Sequence, residues 1–337
     1  MIENEASRRL ILKRLFPDGI PSLWCPTLTH FREARLPDAE RIAYHLRHLA
    51  PYVRGILVPG STGEGWEMSD GDIRTLLNIF LAGALEQRIR VLIGILKTET
   101  DAVIACLDSI QDLISHPAVA GITVCPPKGD HLSQSQIFDA MRRILGAGIP
   151  TAVYQLPQVT QNEMSPETVS ALSHEFENFI LFKDTSGLDR VALSGVDLGG
   201  VFMVRGAEKG GYARWPRESG GPYDGFLLST ANVFAPELSS MLKLLRQGNI
   251  EQAEALSGQL EAVVNETFAI VSDFPVGNAF ANANKVLDHI YAFGESASDR
   301  PLPMLYSGVR LPIGMVEKAK AVLSQFDMMP KDGYLPQ

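Results

Sequence analysis

Short apolar runs recur along the chain and alternate with longer segments in which apolar residues are spaced three and four positions apart. The short runs are typical of buried strands, and the longer spacing is typical of helices with one buried face. The pattern predicts strands at residues 20–24, 55–58, 91–95, 121–124, 151–154, 179–182, 201–204 and 225–228.

Signals for helix starts fall where this alternation needs them. Asp38 and Ser69 can cap the helices that follow them, and Ser165 precedes Pro166 as an N-cap precedes the first helical residue. Strands that alternate with helices predict a parallel sheet, either closed into a barrel or doubly wound. Eight units without a weak or missing strand favour the α/β fold class and a (β/α)8 TIM barrel.

The predicted barrel spans residues 19–245 and leaves two flanking segments. Residues 246–337 predict a C-terminal helical extension packed on the barrel, with helices at 250–271, 278–290 and 313–326. Residues 1–18 precede the barrel as an N-terminal lead. This segment has two interpretations, a short amphipathic helix that packs on the barrel or a transit peptide. Glu3 and Glu5 count against the transit peptide, because such peptides are poor in acidic residues.

Composition excludes several classes of protein. The chain has 337 residues, 45% hydrophobic side chains and a net charge of -9, without a basic stripe for nucleic acid. No apolar run reaches membrane-spanning length, and three scattered cysteines favour a reducing cytoplasm over a disulfide framework. Seven histidines are also scattered; His45 and His48 share a helix face, but the sequence places no third ligand, so we expect no metal site.

A lysine ends the sixth predicted strand. Lys183 closes an apolar run, and the carboxyl ends of barrel strands are where active sites form. Burial there would lower the pKa of its amine, and a neutral amine can attack a ketone to form a Schiff base. The ordinary structural interpretation is a lysine whose stem packs on the strand end while its amine reaches water.

Two further strand ends carry polar groups. Tyr154 ends the fifth strand, where its phenol can relay protons or simply complete the core with a bonded hydroxyl. The loop after the second strand contains Gly60, Ser61 and Thr62, whose hydroxyls and backbone N–H groups can cradle an anion, although an ordinary tight turn has the same composition. Taken together, a lysine, a tyrosine and an anion cradle predict imine chemistry on a 2-oxo acid.

These motifs resemble those of the dihydrodipicolinate synthase / N-acetylneuraminate lyase family of Schiff-base-forming class I aldolases. The resemblance covers roughly residues 18–325 and preserves the family order. Its segments are Gly60-Ser-Thr-Gly-Glu64, Tyr154-Gln-Leu-Pro157, Ile180-Leu-Phe-Lys-Asp-Thr-Ser-Gly187 and Ser229-Thr-Ala-Asn-Val233.

The resemblance implies a role for each matched position. Lys183 would be the Schiff-base lysine, Tyr154 the proton-relay tyrosine, and Ser61 and Thr62 the ligands of the substrate carboxylate. Gly60 belongs to the same cradle, and the stretch Gly206-Ala207 would offer backbone groups to the substrate. The family is usually a homotetramer of paired dimers, so we expect a homo-oligomer, either a dimer or a tetramer. We expect no cofactor.

Three departures from the family pattern are equally informative. Val159 stands where dihydrodipicolinate synthases carry an arginine for the second substrate's carboxylate, and Cys125-Pro126-Pro127-Lys128 replaces their paired tyrosines. Both departures argue against a true dihydrodipicolinate synthase. Lys128 can bind a distal anionic group or be a solvated loop charge. The long segment 210–224, rich in arginine and aromatic residues, can shape a pocket or an oligomer contact.

The first hypothesis is therefore a carbon–carbon lyase that releases or condenses pyruvate with an unknown aldehyde. A second is a dehydratase that uses the same imine on a 2-keto-3-deoxy sugar acid. A third is a non-catalytic ligand-binding homologue, whose signature would be loss of the lysine or the tyrosine; both residues are present.

Overall fold

A closed barrel of eight parallel strands forms the centre of the protein, as predicted. The computed structural model describes residues 2–336. The barrel strands are β1 Leu23–Pro26, β4 Gly55–Val58, β5 Arg90–Ile95, β6 Val119–Val124, β7 Thr151–Gln155, β8 Phe179–Asp184, β9 Phe202–Arg205 and β10 Gly225–Leu227, and a short antiparallel hairpin is formed by β2 Phe31–Glu33 and β3 Leu36–Pro37. Neighbouring strands of the barrel run in the order β1-β10-β9-β8-β7-β6-β5-β4, and β1 pairs with both β4 and β10 to close the ring.

Helices surround the barrel and form the C-terminal extension. Asp38, Ser69 and Ser165 each accept a backbone N–H of the helix that follows, which confirms the three predicted caps. None of the described helices is long and apolar enough to cross a membrane. The helices are α1 Ile2–Leu15, α2 Ala39–Leu49, α3 Asp70–Glu86, α4 Thr100–Ser109, α5 Gln111–Ile114, α6 Gln134–Leu145, α7 Pro157–Thr160, α8 Pro166–Glu175, α9 Arg190–Leu193, α10 Ala231–Arg246, α11 Ile250–Val271, α12 Ala279–Phe293 and α13 Ile313–Gln325, with short 3₁₀ helices at Arg217–Ser219 and Gly294–Asp299.

Helix α1 closes the barrel at the end where the strands begin. Leu12 and Phe16 join the barrel-interior core, and the Phe16 ring meets Trp24 edge-on at a centroid distance of 5.7 Å. Arg8 is buried and donates to backbone carbonyls that include Phe179 O, at 2.8 Å. The predicted helical lead is present, and it buries a charged residue that an amphipathic pattern would place in water.

The C-terminal extension is fastened to the mouth of the barrel by a buried ion pair. Lys285 on α12 bonds to the carboxylate of Glu64, which follows the predicted anion cradle, and donates to Met304 O at 2.8 Å. Glu64 also accepts the Tyr306 N–H at 2.8 Å. At the start of α12, Asn278 donates to the Ser61 carbonyl at 3.1 Å. The extension therefore holds the β4–α3 loop from two sides.

The segment 210–224 folds back onto its own chain. Tyr212 and Tyr223 are buried, and the Tyr212 N–H donates to Ser257 Oγ on α11 at 2.8 Å. The Trp215 ring packs edge-on against Tyr223 and lies 3.9 Å from the Arg205 guanidinium carbon. These aromatic side chains therefore stabilise the junction between the barrel and the extension.

A buried ion pair beside β8 and β9 gives a stability prediction. Arg205 and Asp189 are both about 2% exposed and share two hydrogen bonds, of 2.9 and 3.0 Å. Asp189→Ala leaves the guanidinium buried without its counter-charge, so the free energy of unfolding should fall by about 3–5 kcal/mol. Urea unfolding measures this. Arg74→Ala, which breaks the exposed Arg74–Asp112 pair, is the control that should barely change stability; equal effects of the two substitutions would contradict the prediction.

Candidate active site

The two-residue periodicity of the strands determines which side chains line the cavity at the mouth of the barrel. Side chains alternate between the barrel interior and its outer wall, so a residue two positions beyond an interior core residue faces the interior again. In five strands that residue lines the cavity. The interior residue and its cavity-lining successor are Trp24 and Pro26, Ala152 and Tyr154, Leu181 and Lys183, Val204 and Gly206, and Leu227 and Ser229.

Lys183 and Tyr154 are brought together by the pairing of β7 with β8. The two residues are direct partners in the register of these strands. The Lys183 amine lies 3.8 Å from the centre of the Tyr154 ring, and both side chains are at least 96% buried. The structure therefore places the predicted lysine inside the cavity, away from the bulk water that the snorkelling alternative requires.

Burial changes the protonation of both groups. Desolvation lowers the pKa of Lys183 to about 7, since a low-dielectric site disfavours the ammonium form. The same cause raises the pKa of Tyr154, so its hydroxyl stays protonated at neutral pH. A neutral amine and a neutral phenol can thus coexist near pH 7, one as a nucleophile and the other as a proton carrier.

The predicted anion cradle lies beside this pair. Ser61 and Thr62 line the cavity, whereas Gly60 sits behind it and accepts backbone N–H groups within the turn. Ser61 Oγ accepts the Trp66 indole N–H at 2.8 Å and lies 3.5 Å from the Tyr154 hydroxyl. Because Trp66 occupies one lone pair of Ser61, the hydroxyl proton of Ser61 is free to be directed toward Tyr154 or a ligand.

Gly206 provides the space that the Lys183 side chain needs. A Cβ at this position would lie 2.7 Å from Lys183 Cε and 2.2 Å from Thr185 Oγ1, both closer than real contacts allow. The neighbouring Ala207 does not line the cavity, and its carbonyl accepts an Arg205 N–H at 2.8 Å. Of the two residues proposed to offer backbone groups, only Gly206 reaches the cavity.

Five cavity residues escaped the sequence-based assignment of site residues: Pro26, Thr185, Leu227, Ser229 and Phe280. Ser229 donates to the buried carboxylate of Glu208 at 2.6 Å, and Thr230 donates to the same carboxylate at 2.8 Å. Pro26, Ser229 and Thr185 follow interior residues at strand ends, so the period of two would have identified them. Phe280 comes from α12 of the extension, and nothing in the local sequence places it here.

Lys128 and Val159 mark the departures from the family motifs. Lys128 is exposed and does not line the cavity. Val159 packs on a small buried cluster that contains Tyr154 and Cys125, and Trp66 packs on the same cluster. The side of the site next to Tyr154 is therefore apolar where a carboxylate-binding arginine would otherwise stand.

The carboxylates nearest the key residues are bound to the protein itself. Asp184 follows Lys183, is fully buried and accepts the Ser186 N–H at 2.9 Å. Burial raises its pKa to about 6. The Tyr223 hydroxyl lies 3.5 Å from Asp184 and donates to Asp189 at 2.6 Å. Asp184, like the ion-paired Glu64, is therefore engaged in contacts within the protein.

One cluster of ligand-type side chains forms that sequence spacing did not reveal. His30, His45 and Asp288 lie with candidate ligand atoms within 4.8 Å of one another. Arg41 Nη2 donates to the Asp288 carboxylate at 2.5 Å. His45 Nε2 lies 3.0 Å from the Asn232 carbonyl oxygen, so Nε2 is the protonated nitrogen of that ring. A guanidinium already bound to the carboxylate does not fit a metal site. The cluster is a buried network that joins α2 to α12.

Comparisons with known proteins agree on one family. The 4-hydroxy-tetrahydrodipicolinate synthase of Hyphomonas neptunium is 26% identical over 275 residues, 79% of this chain and 88% of that protein. The enzyme of the same name from Agrobacterium fabrum is 28% identical over 232 residues, 67% of this chain and 74% of that protein.

A solved structure extends the likeness to the fold. YagE, a prophage protein of the dihydrodipicolinic acid synthase family from E. coli K12, was crystallised in complex with pyruvate. It aligns with a TM-score of 0.72 and 18% identity over 91% of this chain and 98% of that chain. The model of the dihydrodipicolinate synthetase family matches residues 29–284, which include Lys183, Tyr154 and the Ser61–Thr62 cradle. The chain is therefore a member of the dihydrodipicolinate synthetase family.

Proposed function

We propose that this chain is a lyase of the class I aldolase type, which cleaves or forms the carbon–carbon bond between pyruvate and an aldehyde. The observation that carries the proposal is the Lys183 amine, buried 3.8 Å from the Tyr154 ring centre with a pKa lowered to about 7. A lysine whose pKa lies near physiological pH and which is enclosed beside a phenol is equipped for imine formation. The YagE structure with pyruvate supports a 2-oxo acid as the substrate class.

The first step is capture of the oxo acid. Ser61 and Thr62 hold the carboxylate, and the Lys183 amine attacks the ketone carbon. The resulting carbinolamine loses water to give a protonated imine, in which the lysine nitrogen carries a positive charge. Gly206 leaves room for this bulkier adduct because it has no Cβ to crowd Lys183 Cε.

The second step is cleavage of the bond between C3 and C4 of the bound 4-hydroxy-2-oxo acid. Tyr154, whose hydroxyl lies 3.5 Å from Ser61 Oγ, gives its phenolic proton to the hydroxide that leaves the carbinolamine as water, and in this step the resulting phenolate accepts the proton of the C4 hydroxyl. The aldehyde departs and the bonding electrons move into the imine, which becomes an enamine. Protonation at C3 and hydrolysis then release pyruvate and the free amine.

We expect the apolar cluster beside Tyr154, on which Val159 and Trp66 pack, to act as a wall for the aldehyde. A second carboxylate would lose its hydration against this wall without gaining a charged partner. We therefore expect aldehydes with an apolar body to be preferred over those that carry a carboxylate.

A panel of condensation assays tests the proposed function. Pyruvate is supplied with benzaldehyde, glyceraldehyde or succinic semialdehyde, and new 4-hydroxy-2-oxo acids are measured by mass spectrometry. The proposal predicts a product with at least one aldehyde, most readily with benzaldehyde. Conversion of a 2-keto-3-deoxy sugar acid to a dehydrated oxo acid, without any condensation product, would instead establish the dehydratase.

The lowered pKa of Lys183 predicts a specific pH dependence. Below about pH 7 the amine becomes protonated, so kcat/KM should fall about tenfold per pH unit as the pH decreases. Above that pH the amine is neutral and the profile should level off. Initial rates between pH 5 and pH 9 measure this; a rate that keeps rising toward the ordinary lysine pKa of about 10.4 would contradict the assignment.

A further inference from the structure

A second cavity, of about 280 Å³, lies between the β2–β3 hairpin, the first turn of α2, helix α12 and the segment 301–310. It shares no lining residue with the cavity that holds Lys183. Its residues take no part in the proposed reaction. The side chains that line this cavity are therefore considered as a binding site separate from the active site.

The charges around this cavity do not balance. Its lining contains Arg32, Arg41, Arg310 and Lys285 against two acids, Asp38 and Asp288. Lys285 is neutralised by Glu64. Burial lowers the pKa of His30 and lowers that of His289 to about 4, so neither histidine adds charge at neutral pH. One net positive charge remains, in a protein whose total charge is -9.

Both acids in the lining are already engaged. Asp38 accepts the Arg41 N–H at 3.0 Å as the N-cap of α2. Asp288 accepts from Arg41 Nη2 at 2.5 Å and from the Tyr334 hydroxyl at 2.7 Å. These contacts fix the two carboxylates and leave other donors of the cavity without an acidic partner.

Three guanidinium groups supply those donors. Arg41 Nη1 is buried and has no hydrogen-bond partner among the described residues. Arg32 makes no ion pair within residues 2–336, and Arg310 donates only to the Leu302 carbonyl in that part of the chain. A buried donor without an acceptor is costly, and a planar guanidinium matches the two oxygens of a carboxylate.

Apart from His30 and His289, the rest of the wall is apolar. Phe31, Phe293, Leu302 and Met304 face the cavity. Apolar walls with a few placed polar groups are the usual composition of a small-molecule site. A ligand with one negative charge would neutralise the excess positive charge, and a hydrocarbon body on that ligand would pack against the apolar side chains.

We propose that this cavity binds a small monocarboxylate with an apolar body, its carboxylate held by Arg32, Arg310 and the free donor of Arg41. The single net charge favours a carboxylate over a dianionic phosphate. This site is independent of the imine chemistry, so it stands whether or not Lys183 forms an adduct.

Calorimetric titration of the full-length chain at low ionic strength tests the proposal, with benzoate as the probe and benzamide as its uncharged analogue. We expect one benzoate per chain to bind in this cavity, also in the Ser61→Ala variant, which alters the active-site cradle. The Arg32→Gln/Arg310→Gln double variant should weaken binding by about tenfold or more, because each arginine contributes a charge-assisted hydrogen bond. Benzamide should bind at least about tenfold more weakly than benzoate.

Arg47→Gln is the matched control, since Arg47 is an exposed arginine on α2 that does not line the cavity. It should leave the benzoate affinity unchanged, and thermal unfolding confirms that each variant is folded. The proposal is overturned if benzoate shows no saturable binding, binds the double variant as tightly as the original chain, or is lost in Ser61→Ala. Equal affinity for benzamide would overturn it as well.

Discussion

Lys183→Ala is expected to abolish adduct formation with pyruvate and to lower turnover by on the order of 10⁴-fold or more, because the reaction loses its nucleophile. No other lysine lines the cavity within the described part of the chain. An amine outside the cavity would also lack the enclosure that lowers the pKa of Lys183. Kinetic assay and borohydride trapping of the purified variant measure both effects.

Lys183→Met and Lys243→Ala separate loss of chemistry from loss of structure. Methionine keeps an unbranched apolar stem in the cavity and removes a buried amine, so Lys183→Met should be inactive yet at least as stable as the original chain. Lys243 is an exposed residue on α10, and Lys243→Ala should keep full activity. An active Lys183→Met variant would eliminate the imine mechanism.

Tyr154→Phe is expected to retain the pyruvate adduct on Lys183 and to slow turnover by about 10²–10⁴-fold, the usual contribution of a positioned proton carrier. The ring remains beside the amine, so the apolar enclosure of Lys183 is preserved. Only the hydroxyl that lies 3.5 Å from Ser61 is removed. The loss should appear in kcat more than in the extent of adduct formation.

A second tyrosine provides the control for this variant. Tyr291 on α12 donates to the Met328 carbonyl at 3.1 Å and does not line the cavity. Tyr291→Phe should therefore leave kcat unchanged. If Tyr154→Phe turns over at the original rate, Tyr154 has no part in proton transfer and serves only to pack the cavity.

The sequence was sufficient to predict the barrel because its strands are continuous apolar runs that alternate regularly with helical segments. All eight predicted strands are present, and the helix predicted at 250–271 matches α11. The first strand begins three residues later than predicted, since Pro21 lacks an N–H and pairing with β10 starts at Leu23. The β2–β3 hairpin was missed because its strands have only three and two residues, too few to show a hydrophobic pattern.

Contacts between distant parts of the chain could not be predicted in this way. Glu64 and Lys285 are 221 positions apart, and only the closed fold makes them partners. The same holds for Phe280, which reaches the cavity from the extension, and for Asp288, which meets His45. Local motifs placed Lys183, Tyr154 and the cradle at strand ends, but not the groups that pack around them.

Reduction of the pyruvate complex with borohydride, followed by peptide mass spectrometry, tests the central claim most directly. Reduction makes the imine permanent and adds to the modified lysine the mass of pyruvate less one water plus two hydrogens. The account predicts one such adduct per chain, located on Lys183 and absent when borohydride or pyruvate is omitted. An unmodified Lys183, or an adduct confined to another lysine, would contradict it.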